Sequence, residues 1–175
     1  MTAPEFARPR RLDTLGPGET VAEVEATPAE RAALARRFGL VSVERLAASY
    51  VLRRDAAGVI ATGHVSARVE QACVATGEPC PAAVEEDFAL RFAPEGQAGA
   101  EEVELSGEAL DTMFYAGSAI DLGEAAAETM VLALDPFPRS AQAAEALKAA
   151  GVRGEEDAGA FGALAGLKDL LAGKS

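Results

Sequence analysis

The chain has 175 residues, with 28 acids against 16 bases, a net charge of −12 and two cysteines. The length suits one domain with tails and is enough to bury a core. The acidic field opposes nucleic-acid binding by the whole surface, the cysteines are too few for a disulfide scaffold, and no apolar run nears the ~18 residues of a membrane span.

The N-terminus lacks the basic-then-apolar pattern of a signal peptide, so the cytoplasm is the expected compartment. Hydrophobic residues make up 49% of the chain, but many are alanine and tryptophan is absent. The core must therefore lean on Leu, Val and the seven Phe. Local basic patches survive the overall charge at Arg8, Arg10 and Arg11, at Arg36 and Arg37, and at Arg53 and Arg54. Paired charges at element ends commonly face water.

Residues 1–9 show no periodicity and read as a loose tail. Residues 10–15 suit a short edge strand, and residues 21–26 alternate apolar with acidic, a second strand. Thr27-Pro28-Ala29-Glu30 is a capping box with proline at the first helical position. Arg36 and Arg37 suit the negative end of that helix, and Gly39 supplies its left-handed exit. From residue 41 the period becomes two. Residues 41–54 and 59–73 alternate on either side of an Asp55–Gly58 turn, which predicts a long antiparallel hairpin. Val59, Ala61, Gly63, Val65, Ala67 and Val69 share one face, and Thr62, His64, Ser66, Arg68 and Glu70 share a polar second face. Residues 84–92 form a third alternating run with Phe88, Leu90 and Phe92 inward. A Gly- and acid-rich loop over 94–102, a short strand at 103–105 and an ambiguous stretch at 110–118 follow.

Residues 120–139, IDLGEAAAETMVLALDPFPR, organise the chain. Asp121 is a good N-cap, and Glu124 can reach back to the cap three residues earlier. Leu122, Ala125, Ala126, Thr129, Met130, Ala133 and Leu134 recur at helical spacing. Pro136 stops the helix and drives Asp135 out of helical geometry. An apolar helical face of this kind ordinarily means core. Beyond Arg139 the chain turns Ala-, Gly- and Glu-rich, with local helix over 141–149. A final apolar stripe of Phe161, Leu164, Leu167, Leu170 and Leu171 reads as a self-packed tail or a short docking helix.

The IDLGE start, Glu128 within the alanine-rich helix and the closing LALDPFPR resemble the YceD family of bacterial proteins. EFARP, AERAALARRFGL, CVATGEP and GAFGALAGLKDLL agree in order and spacing, closest to the alphaproteobacterial branch. The resemblance implies a role in accumulation of large-subunit (23S) ribosomal RNA, and so in ribosome assembly. Many relatives carry a Cys-x-x-Cys at the mid-chain break and further cysteines near the C-terminus. Here Cys73 is followed by Thr76 at the second position and the C-terminal cysteines are missing, so zinc is not expected.

No catalytic constellation stands out. Phosphate loops, dinucleotide fingerprints and nucleophile elbows are absent. His64, the only histidine, falls by strand parity on the opposite face from Cys73. Glu85-Glu86-Asp87 and Glu101-Glu102 read as solvated faces.

The expected fold is α+β: a curled antiparallel sheet packed with two main helices, over residues 1–139, followed by a linker and short helix over 140–175. A partly closed barrel would protect the sheet edges. The expected function is non-enzymatic, needing no cofactor, metal or small-molecule substrate. It would support large-subunit rRNA by binding a ribosomal protein or assembly factor, with rRNA at a local basic patch as the other contact. The candidate contact surface is Arg8, Arg10, Arg11, Asp121, Glu124, Glu128, Asp135, Pro136 and Arg139. An adaptor or chaperone-like module with no RNA role is the alternative.

Overall fold

The structure, a computed structural model, describes residues 4–96 and 110–152. The chain divides into two compact units. The first comprises residues 1–71 and 81–136, the second residues 72–80 and 137–175. The segment at 97–109, including the expected strand at 103–105, and the stripe at 161–171 lie outside the described residues.

The strands run β1 (Pro9–Arg11), β2 (Thr20–Glu25), β3 (Ser42–Asp55), β4 (Gly58–Ala72), β5 (Pro79–Pro94), β6 (Asp111–Tyr115) and β7 (Ala119–Asp121). The helices are α1 (Pro28–Phe38), α2 (Leu122–Leu132) and α3 (Ala143–Ala149). The architecture is α+β, as the sequence implied. Five strands form a sheet in the order β2-β3-β4-β5-β6, and β1 and β7 form a separate antiparallel ribbon. Among the described residues these two sheets close no barrel. One pairing departs from the antiparallel expectation, because β6 runs parallel to β5 with Leu90 opposite Asp111 and Pro94 opposite Tyr115.

Local chemistry explains most of the elements. Thr27 Oγ1 accepts from the Glu30 N–H while Glu30 accepts from the Thr27 N–H, so the capping box forms in full. Gly39 ends α1 at φ 65°, the left-handed region where a side chain is strained. The β3–β4 hairpin turns through Asp55, whose carboxylate accepts from the Ala57 N–H at 2.9 Å and from Arg91. Gly58 has no alternative there: a Cβ would strike the Phe92 carbonyl oxygen. In β3 the register shifts between Val43 and Arg45. This bulge puts both Val43 and Leu46, three residues apart, on the buried face.

Inward residues of the sheet and the buried side of α2 make the core of the first unit. Phe6, Leu34, Leu46, Tyr50, Leu52, Val59, Val65, Phe92, Ile120 and Met130 are almost fully buried. Full burial of one such side chain contributes roughly 1.5–3 kcal/mol. In α2 the buried set is Leu122, Gly123, Ala125, Ala126, Ala127 and Met130. Thr129 is half-buried and Ala133 exposed, so the face is rotated from the one the spacing suggested. Small side chains let this helix sit close to the sheet. The Tyr50 hydroxyl crosses that interface and donates to the Leu122 carbonyl at 2.6 Å, and burial pushes its pKa up. No helix among the described residues is long and apolar enough to cross a membrane.

In the second unit, Val74 N–H donates to the Pro138 carbonyl at 2.9 Å. The helix expected over 141–149 forms as α3.

Candidate partner-binding surface

The strap before β1 and the start of α2 are built around Asp121. Its Oδ1 accepts from the N–H groups of Gly123 (2.9 Å) and Glu124 (3.1 Å) and from the Arg8 N–H (2.8 Å). The Leu122 N–H donates to the Arg8 carbonyl at 3.2 Å. One carboxylate therefore caps the helix and fastens the strap. The strap lies so close that a Cβ at Gly123 would meet the Phe6 carbonyl oxygen.

Arg8 extends this node to α1. Its guanidinium holds Glu30 through two hydrogen bonds of 2.7 and 2.9 Å, donates to the Glu25 carbonyl at 3.0 Å, and lies 4.6 Å from the centre of the Phe6 ring. The Arg8 hydrogen bonds, chiefly, hold the Glu30 carboxyl down at about 2. Arg8 is thus engaged within the fold.

Glu124 does not reach back to its own helix cap. Its carboxylate takes both terminal nitrogens of Arg37, at the end of α1, and Arg37 also reaches Glu5 at 3.2 Å. A guanidinium can be held bidentately, which a lone backbone N–H cannot match. Glu128, one turn along α2, is half-buried, and burial followed by the charge of Glu124 raises its pKa. Glu128 borders a groove of about 560 Å³ with Glu86, Asp87, Leu90, Met113 and Leu132.

The remaining expected residues are spread apart. Arg10 is half-buried beside β2, and its Nε is buried without a hydrogen-bond partner. Arg11 is exposed and paired with Asp13. At the far end of α2, the Asp135 carbonyl accepts from Gln71 Nε2 at 2.8 Å, and Asp135 and Pro136 are exposed. Arg139 is exposed in the second unit. The structure therefore brings together Arg8, Asp121 and Glu124 around the two helix caps. It adds Glu30, Arg37 and Gly123, which the sequence reading did not join to them. The capping box flagged Glu30, but its partner 22 residues away left no local signal.

Two other clusters bear on chemistry. His64 lies on the polar face of the sheet, with Nε2 at 2.9 Å from Glu85 and Nδ1 at 2.7 Å from Asp87. Those carboxylates raise its pKa, and both ring nitrogens are occupied. In the second unit Cys73 is buried. Its sulfur accepts from the Ser140 N–H at 3.3 Å, which with the Thr76 hydroxyl draws the thiol down to about 6. Thr76, at the position of the relatives' second cysteine, contacts Glu78 and Ser140 through its hydroxyl. Among the described residues no group of three or more His, Cys, Asp or Glu side chains could hold a metal ion.

These features define an α+β protein whose distinctive side chains bind one another across helix caps and border a groove lined by Glu86, Asp87 and Glu128. The family model described as Large ribosomal RNA subunit accumulation protein YceD matches residues 61–171, and the chain belongs to this family. No curated protein and no solved structure gives a significant match.

Proposed function

We propose that this protein is a non-enzymatic, cytoplasmic factor that supports accumulation of large-subunit ribosomal RNA by binding a basic ribosomal protein or an assembly factor. The family match carries the reading, since the family is described by rRNA accumulation and not by a reaction. Charge favours a protein partner over bare RNA. The net charge is −12, and Arg8, Arg11, Arg37 and Arg91 each lie against an acidic side chain, which leaves fewer free cations for phosphates. Contacts would fall at separate places, at Arg10 and Arg11, at Glu128, and at Asp135 and Pro136 in the first unit, and at Arg139 in the second. Arg8, Asp121 and Glu124 would hold the framework.

Depletion of the protein followed by a sucrose gradient and rRNA quantitation tests this. Large subunits and their rRNA should fall while small subunits persist. Normal levels of both would remove the biogenesis role and leave an adaptor function outside the ribosome.

A further inference from the structure

The free edge of β2 has an unusual combination of features. β2 ends the five-stranded sheet, and β3 is its one strand neighbour among the described residues. The Ala26 N–H donates to the Leu46 carbonyl at 3.0 Å. Antiparallel ladders alternate, so Val24, Ala22 and Thr20 also bond toward β3 in the observed register. The backbone groups of Val21, Glu23 and Glu25 therefore point away from β3. Arg8 takes the Glu25 carbonyl at 3.0 Å, as this alternation requires. Those of Val21 and Glu23 face a groove of about 420 Å³, whose opposite side is Pro9 and Arg10 of β1.

Natural edge strands are commonly blunted by proline, lysine or an inward charge. β2 (TVAEVE) has none of these, and Val21 on it is 68% exposed. An extended chain laid in the groove would meet the outward N–H and C=O groups of Val21 and Glu23 on one side. On the other it would pass Pro9 and Arg10 of β1. The side chains around this edge set the charge of the guest. Glu19, Glu23 and Glu25 are all exposed, and of the two arginines that line the groove Arg8 is already paired with Glu30, which leaves Arg10 as the one opposing cation. A second copy is disfavoured, because antiparallel pairing of β2 with itself would set these acids against each other.

We propose that the free edge of β2 accepts a basic, extended polypeptide segment as an added strand. This rests on the reading of a basic protein partner and names the place and mode of its contact.

The test uses the full chain and a blocked eight-residue peptide of alternating Lys and Val, with a Glu/Val peptide as control. Amide NMR should show shifts and slowed exchange at Val21 and Glu23 on adding the Lys/Val peptide. Glu23→Lys with Glu25→Lys should weaken binding at least tenfold. Val21→Pro, which removes an outward N–H while sparing the β3 ladder, should abolish it. The charge-reversal pair reads the same site if the proline variant fails to fold. Unaffected amides at Val21 and Glu23, equal binding of the Glu/Val peptide, or self-association through this edge would each overturn the proposal. Complementation separates it from the biogenesis reading. If depletion lowers large-subunit rRNA and the folded charge-reversal variant restores it fully, the edge site fails and the wider role stands. If depletion changes nothing but the peptide binds at β2, the edge site stands and that role fails.

Discussion

Replacing Arg8 by Met keeps the apolar stem over Phe6 and removes the fork that holds Glu30. The carboxyl of Glu30 lies at about 2 against an ordinary 4.5. A shift of that size corresponds to roughly 3 kcal/mol at ~1.4 kcal/mol per unit. The side chains of Arg8 and Glu30 remain 32% and 22% exposed, so solvent screening reduces the pair to about 1–2 kcal/mol. Because the folded-state pKa is depressed, the unfolded chain binds more protons between the two values. The contribution is therefore complete above about 4.5 and is lost as pH falls toward about 2. Urea denaturation followed by circular dichroism, on wild type, Arg8→Met, Glu30→Gln and the double variant, measures the coupling. Glutamine keeps the reciprocal cap to Thr27, so α1 should stay folded. Arg8→Met should cost about 1–2 kcal/mol at pH 7, and the gap should narrow steadily between pH 4.5 and 3. A coupling below about 0.5 kcal/mol, or a gap independent of pH, would refute the clamp.

Gly123→Ala sets two effects against each other: helix propensity favours alanine by about 1 kcal/mol, but the added methyl meets the Phe6 backbone, so a net loss of ~1–3 kcal/mol in thermal or urea unfolding is expected. Tyr50→Phe should cost about 0.5–1.5 kcal/mol by removing the donor to the Leu122 carbonyl, read as a lower urea midpoint with an unchanged slope. His64 should titrate above 6.5 by NMR and return toward that value in Glu85→Gln with Asp87→Asn. Since its folded pKa is raised, whatever stability it contributes is present below 6.5 and lost as pH rises through the folded value.

The sequence by itself determined the elements whose signals are local. The Thr27–Glu30 box and Gly39 bounded α1, the Asp55–Gly58 turn joined two alternating runs, and Asp121 began α2. Strand parity also put His64 on the polar face. Each depends on hydrogen bonds or side-chain period within a few residues. Only the tertiary structure decided the rest. Arg8 found Asp121 across 113 residues, and Glu124 chose Arg37 across 87 residues over its own cap. β6 joined β5 in parallel, and the bulge in β3 turned both Val43 and Leu46 inward. The groove beside β2 exists because the β1–β7 ribbon and the main sheet are separate, a matter of sheet order. Ion-pair choice and sheet order follow from which surfaces meet in the folded chain, and local sequence pattern has no term for that.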